Sequence, residues 1–321
     1  MTRTYWVETY GCQMNVSDSE LMEGVLSASG LTAVSAPEEA DVILVNTCAI
    51  REHAEQRVLG RVAELNRVKK RRPGTLIGVC GCMAQRLGAR LIEQAEHVDM
   101  VIGPDAYRAL PQLIDQAVER NGGVVDVGLD PAENYEGLEL HRRSSVAAWI
   151  PIQRGCNYRC TFCIVPHTRG NEKNREPRAI LQEIGRLALD DGVSEFTLLG
   201  QTVNSYRHDD WDFPRLLRAI ARLPGVRRLR YTSPHPNDLT RQLVDVMAEE
   251  EAVCPHLHLP VQSGSDRVLK RMARRYTREE YLAKVDMLRE RIPEIALSTD
   301  IIVGFPNETD ADFEEIGRAH V

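Results

Sequence analysis

The sequence predicts an α/β protein built in two parts. An N-terminal parallel-sheet domain, doubly wound in the Rossmann-like or flavodoxin-like manner, precedes a partial (β/α) barrel. Three observations carry this reading. Short apolar runs alternate with helical stretches along the whole chain, the pattern of parallel strands covered by helices. A polar, acidic stretch at 128–145 interrupts the alternation. The five strand–helix units after it lack a second glycine-rich dinucleotide turn, which favours a barrel with its chemistry on the loops after the strands. The expected boundaries are a first domain at 3–120, a linker at 121–141 and the barrel at 142–321.

In the first part, strands are expected at 4–9, 41–46, 76–80 and 98–102, and helices at 17–29, 51–70, 84–95 and 106–120. Ser17-Asp18-Ser19-Glu20 reads as a capping box opening the first helix. Asn121-Gly122-Gly123 is turn chemistry. In the second part, strands fit 147–153, 194–199, 227–232, 256–261 and 297–303. Helices fit 177–190, 213–222, 237–250 and 277–291, with another starting at 308. The last six residues, Ile316 to Val321, continue that helix poorly and fit, codon for codon, a common sequencing-adapter oligonucleotide. The chain is therefore expected to be a piece of a longer protein.

Composition excludes several classes. No apolar run is long enough to span a membrane, and no apolar signal region opens the chain, so a soluble cytoplasmic protein is expected. Eight cysteines in 321 residues with no secretory signature point to metal or redox chemistry before disulfides. The net charge of −7 is uneven: residues 1–140 carry −8 and residues 141–321 carry +1. A polyanionic partner would have to meet local basic patches. Of these, the run Arg169 to Arg178 is best placed for RNA phosphate, whereas Arg71-Arg72 before Pro73-Gly74 reads as a helix end.

The strongest signal is Cys156-Asn157-Tyr158-Arg159-Cys160-Thr161-Phe162-Cys163, a C-x3-C-x2-C loop after the first barrel strand. Three thiolates can hold three irons of a 4Fe–4S cluster and leave the fourth open to a substrate. A structural zinc site ordinarily needs a fourth ligand, and none sits at suitable spacing. Cys12, Cys48 and Cys82 each follow a predicted strand of the first domain. Parallel strands end on one edge, so the three can converge; three unrelated buried cysteines are the alternative. Cys80, within its strand, reads as core, and Cys254 as structural, with a site-lining role as the alternative.

The C-x3-C-x2-C loop resembles the radical S-adenosylmethionine superfamily, and the two cysteine triads together resemble its methylthiotransferases. Tyr10-Gly11-Cys12-Gln13-Met14-Asn15 and Asn46-Thr47-Cys48-Ala49-Ile50-Arg51-Glu52 are similar to the branch acting on isopentenylated adenosine beside the tRNA anticodon. Cys163-Ile164-Val165-Pro166, Thr168-Arg169-Gly170, Leu199-Gly200-Gln201 and Thr232-Ser233-Pro234-His235-Pro236 agree. His167, Thr202 and Asn307 depart from the usual Tyr, Asn and Gly; none is expected to touch a cluster ligand, and Asn tolerates left-handed backbone.

The resemblance implies two 4Fe–4S clusters. One, on Cys156, Cys160 and Cys163, reduces S-adenosylmethionine to a deoxyadenosyl radical that abstracts hydrogen from carbon 2 of the adenosine. The other, on Cys12, Cys48 and Cys82, presents sulfur that is methylated by a second S-adenosylmethionine and transferred. It further implies Phe162 beside the adenine, Gly200 and Gln201 at the methionine moiety, and Asp300 and Gly304 near adenine and ribose. A flavodoxin- or ferredoxin-type reductant, a sulfur donor and a tRNA carrying isopentenyl-adenosine are the expected partners. The family ordinarily completes the barrel and adds a small β-rich (TRAM-like) RNA-binding domain, both missing from this sequence.

In His256-Leu257-His258-Leu259-Pro260-Val261-Gln262 the period is two. The leucines and Val261 are expected to face the helices, His258 and Gln262 the barrel interior. Gln262 and Ser263 are candidate cofactor contacts, with an interior hydrogen-bonding role equally open; His256 reads as structural. Two other functions stay open. One is a sister methylthiotransferase acting on threonylcarbamoyl-adenosine or a ribosomal-protein aspartate. The other is an iron–sulfur electron carrier, disfavoured because carriers close all four iron sites.

Overall fold

The computed structural model describes residues 3–49, 52–142 and 144–319, and the chain divides into two compact units. The first comprises residues up to 143 together with Ile164–Asn171, and the second comprises Ser144–Cys163 and the residues from Glu172 onward.

In the first unit the strands are β1 (Thr4–Thr9), β2 (Thr32–Ala33), β3 (Val42–Thr47), β4 (Leu76–Gly81), β5 (Met100–Ile102) and β6 (Val124–Asp126). All pair in parallel, in the order β2-β1-β3-β4-β5-β6. This extends the flavodoxin-like order, whose topological switch point lies between β1 and β3. Strand alternation sorts the core into two layers. Val42, Leu44, Met100 and Ile102 pack on α1 (Gln13–Ala28) and α5 (Leu110–Arg120). Ile43, Val45 and Val101 pack on α2 (Glu52–Arg71), α3 (Cys82–Leu87) and α4 (Arg90–Gln94).

Three expectations for this unit change. The first helix begins at Gln13 with Cys12 as its N-cap, and Ser17, Asp18, Ser19 and Glu20 are buried inside it. The local Ser-x-x-Glu pattern is overridden because these side chains find partners in the interior: Ser19 bonds Thr9 and Asn46, and Asp18 pairs with Arg169. The helix expected at 84–95 is two helices, because Gly88 turns left-handed at φ +54. Asn121, Gly122 and Gly123 all adopt positive φ, as their turn chemistry requires, but the chain then enters β6. The segment at 121–141 is thus no free linker. Tyr135 is buried, Leu138 and Leu140 join the core, and the His141 N–H donates to the Glu20 carbonyl.

In the second unit β7 (Ala147–Pro151), β10 (Glu195–Leu199) and β13 (Arg228–Tyr231) form one parallel sheet, and β14 (His256–His258) and β15 (Ala296–Ser298) another. A bridge between Leu229 and Val253 joins the two into a partial barrel of five strands. The strand expected at 147–153 breaks at Ile152. Gln153–Arg154 (β8) instead pairs antiparallel with Lys173–Asn174 (β9), closing the stem of the cysteine loop. The minor strands β11 (Arg207–His208) and β12 (Trp211–Asp212) form a short hairpin.

Between the segments of this unit lies α6 (Val165–Thr168), which belongs to the first unit. The outer layer of the barrel is α7 (Pro177–Leu189), α8 (Phe213–Ala221), α9 (Arg241–Glu249), α10 (Asp266–Arg271), α11 (Arg278–Arg291) and α12 (Asp310–Glu314). Each opens on a side-chain cap: Glu176, Asp212, Thr240, Ser265, Thr277 and Thr309. The short α10 has no counterpart in the sequence-based expectation, since six residues carry too little periodicity to read. Ile150, Phe196, Leu198, Leu229, Leu257, Leu259 and Val261 face these helices.

The packing of 135–141 on α1 is testable at Gly24. A Cβ there would sit 2.0 Å from the Glu139 carbonyl oxygen. Gly24→Ala is expected to lower the stability of the first unit by about 1–3 kcal/mol in a denaturant titration, where a free linker at 121–141 would yield no loss.

Candidate iron–sulfur sites

The first site is built at the switch point of the six-stranded sheet. Cys12 caps α1 immediately after β1, Cys48 follows β3, and Cys82 is the first residue of α3 after β4. Two glycines let the loops close. A Cβ at Gly11 would lie 2.4 Å from Asn15 Oδ1 and 3.0 Å from Cys48 Cβ. Gly81, at φ +93, lies so close that a Cβ would be 2.4 Å from the Thr47 carbonyl oxygen. Behind them Asn15 and Asn46 interlock. The Asn15 Nδ2 donates to Asn46 Oδ1 at 3.2 Å and to the Thr47 carbonyl at 3.1 Å, and Asn46 Nδ2 donates to the Asn15 carbonyl at 2.8 Å.

The electrostatics favour thiolate. A hydrogen bond with Cys48 is the main cause lowering the Cys12 thiol to about 6; burial opposes it, and the Asn15 N–H, Arg169 and the Met14 N–H assist. A helix N-terminus and a nearby positive charge both favour the thiolate, the form of cysteine that ligates metal. Cys80, by contrast, is fully buried in β4 and burial raises its pKa, so it belongs to the core as expected.

The second site is the Cys156–Cys163 loop. Gly155 turns left-handed at φ +75, and the Cys156 Sγ lies 3.0 Å from Thr202 Oγ1. Burial raises the Cys156 pKa, with the Thr202 hydrogen bond opposing it. Thr202 is therefore in contact with a proposed cluster ligand, contrary to the sequence-based expectation. Its own backbone N–H donates to Gln153 Oε1 at 3.0 Å, which fixes the Gly200-Gln201-Thr202 loop on the stem of the cysteine loop. Arg274 Nη1 donates to Cys160 Sγ at 3.4 Å. The Thr161 N–H and hydroxyl bond the carbonyls of Met272 and Arg271.

Tyr158 anchors the middle of the loop. Its ring stacks on His235 at 3.8 Å between centroids, and its hydroxyl donates to Asp238 at 2.8 Å. Asn204 holds His235 from behind, accepting its N–H at 2.7 Å and donating to its carbonyl at 2.9 Å. Thr202, Arg274 and His235 all serve the loop, yet composition and spacing gave no sign of it, because each lies on another strand–helix unit. The Thr-Ser-Pro-His-Pro stretch was the only signal at hand.

The other residues expected at the cofactor are placed as follows. Gln201 carries a buried Oε1 with no partner among the described residues, and a Cβ at Gly200 would press on Gln153 and Val203. Phe162 is 39% exposed. Leu257, Leu259 and Val261 face the helices as expected, and His258 turns the other way, toward Ser298 at 3.0 Å and Asp300 at 3.4 Å. Gln262 sits at φ +71 and bridges Ile301; Ser263 is fully buried and accepts the Ser265 N–H; Gly304 and Asn307 are left-handed. In the basic run 169–178, Arg169 is buried on Asp18 and Arg175 is tied to Glu183, while Arg178 is exposed.

Each loop set offers three thiols, the donor set of a 4Fe–4S cluster with one open iron. Among the described residues no three His, Cys, Asp or Glu side chains gather tightly enough to cage a single ion. Thiolates that ligate separate irons of a cluster need not meet at one point. No described helix is long and apolar enough to cross a membrane.

Comparison with known proteins identifies relatives of the chain. Residues 150–319 match the Radical SAM superfamily, and residues 4–103 match a family described as uncharacterized protein family UPF0004. The tRNA-2-methylthio-N(6)-dimethylallyladenosine synthase of Caldicellulosiruptor saccharolyticus is 47% identical over 98% of this chain and 67% of its own length. Those of Staphylococcus epidermidis and Dictyoglomus thermophilum are each 46% identical over 98% of this chain, covering 62% and 72% of their own lengths. The chain thus spans about two thirds of these relatives. Among solved structures, the radical S-adenosylmethionine methyltransferase TsrM of Kitasatospora setae shares the fold at a TM-score of 0.69 and 16% identity, over 99% of this chain and 71% of that one.

The anchor on Tyr158 predicts a pH dependence. Burial first, then the charges of Arg274, Arg275 and Lys284, lower the His235 pKa to about 3 from 6.5. Between these values the unfolded chain binds the proton that the folded one refuses, so stability is intact above about pH 6.5 and falls as pH drops. Thermal melts from pH 7 to 4.5 are expected to fall less steeply for His235→Gln than for the parent chain.

Proposed function

Because the chain belongs to the radical S-adenosylmethionine superfamily and, within it, to the family of the tRNA-2-methylthio-N(6)-dimethylallyladenosine synthases, we propose that it adds a methylthio group to carbon 2 of isopentenyl-modified adenosine in tRNA. The observation that supports this best is the presence of two separate cysteine sets, each on loops leaving the carboxyl ends of parallel strands. An electron carrier needs no open iron.

An aromatic C–H bond offers no acidic proton, so side-chain acid–base chemistry cannot open it. When bound, the cofactors supply that chemistry: a radical from S-adenosylmethionine at the Cys156, Cys160 and Cys163 cluster, and sulfur at the Cys12, Cys48 and Cys82 cluster. The chain's own residues hold and orient. Thr202 and Arg274 steady Cys156 and Cys160. The orphaned Gln201 Oε1 is an acceptor suited to the ammonium of the methionine moiety, and Gly200 packs closely on Gln153 and Val203 beside it. Phe162, exposed in the loop, is free to lie along the adenine, and Gln262, Ser263, Asp300 and Gly304 at the ends of the last strands are the further candidates for cofactor contact. A small reductant of flavodoxin or ferredoxin type and a sulfur donor complete the cycle.

Two measurements check this reading. The protein, reconstituted anaerobically with iron and sulfide and joined to the remainder its relatives carry, is offered tRNA with and without the isopentenyl group. Nucleoside mass spectrometry is expected to find the methylthio product on the prenylated tRNA; product on threonylcarbamoyl-adenosine instead would contradict the substrate. Gln201→Ala is expected to weaken S-adenosylmethionine binding by about tenfold, as loss of a hydrogen bond to a charged group of about 1.5 kcal/mol would. Unaltered affinity in equilibrium dialysis would remove Gln201 from the site.

A further inference from the structure

Arg169 lies at the end of α6, a segment of the first unit, and α6 packs on α3, the helix that begins with Cys82. Its side chain is 4% exposed. Nη2 donates to Asp18 Oδ2 at 2.7 Å, on the helix that Cys12 caps. Nη1 is buried and has no hydrogen-bond partner among the described residues. Ser17 Oγ and Tyr107 OH, also buried and unpartnered, do not take it up.

Leaving a guanidinium N–H buried without an acceptor costs about 1–3 kcal/mol or more. Asp18 balances the charge but not the fork, whose donors point in fixed directions. Resting on the reading that Cys12, Cys48 and Cys82 hold a cluster, we propose that Arg169 is a positioning residue that donates Nη1–H to the sulfurs of that cluster. Hydrogen bonds to cluster sulfurs favour the more negative, reduced form and so raise its reduction potential. The run that looked like an RNA-phosphate patch in the sequence would in this way begin with a residue turned inward to the sulfur-bearing cluster.

The test isolates this cluster by Cys156→Ala, Cys160→Ala and Cys163→Ala in the full chain, then follows its midpoint potential by EPR during a redox titration. Removing Arg169 alone would take the opposite charge from Asp18, so the pair is neutralised together as Asp18→Asn with Arg169→Gln. This variant is expected to fold and carry a cluster of more negative potential than the background. Arg169→Lys, which keeps the charge on Asp18 but loses the fork, is expected to shift the same way, and it decides alone if the double variant does not fold. A potential equal to the background in the deciding variant overturns the proposal while sparing the cluster reading. Absence of any cluster from the background itself overturns both.

Discussion

Parallel pairing is the constraint on which both units depend. Parallel strands all end on one edge, so the residues that leave each strand are delivered to a common place. In the first unit this brings the residues after β1, β3 and β4 together, and Cys12 and Cys48 flank the switch point, where the covering helices diverge. In the second unit the same rule places the Cys156 loop after β7 and the Gly200-Gln201-Thr202 turn after the neighbouring β10. The cysteines need no local structure of their own beyond a short loop, because the sheets do the gathering.

Such convergence demands backbone closeness and polar satisfaction. Gly11 and Gly81 meet the first demand, with a Cβ at either excluded by neighbouring loop atoms. Asn15 and Asn46 meet the second, filling each other's hydrogen bonds behind Cys12 and Cys48. The burial of Asp18 with Arg169 is of a different kind. A buried ion pair contributes little net stability, since desolvating both charges offsets their attraction. It does fix where a donor-rich guanidinium sits, and that placement has a use only if something beside it accepts hydrogen bonds.

Much of this was legible in the sequence. The βα alternation, the post-strand positions of all three N-terminal cysteines, the buried Cys80 and the inward turn of His258 come from period and chain order. The misreadings share a cause. Ser17 to Glu20 resemble a cap in isolation, but their partners are Thr9, Asn46 and Arg169, and the last lies 151 residues from Asp18. The segment 121–141 looked like a linker because its polar surface masks Tyr135, Leu138 and Leu140. Thr202 and Arg274 reach Cys156 and Cys160 from 46 and 114 residues away. Local patterns record what a segment favours alone and not what it meets after folding.

The central claim is that two independent cysteine triads each hold a cluster, and iron counting with Mössbauer spectroscopy tests it most directly. The reconstituted chain is predicted to hold about eight irons, four for each cluster. Replacing Cys12, Cys48 and Cys82 by alanine, or Cys156, Cys160 and Cys163, is predicted to leave about four, with the surviving 4Fe–4S signature intact. Unchanged iron content after loss of Cys12, Cys48 and Cys82 would contradict it.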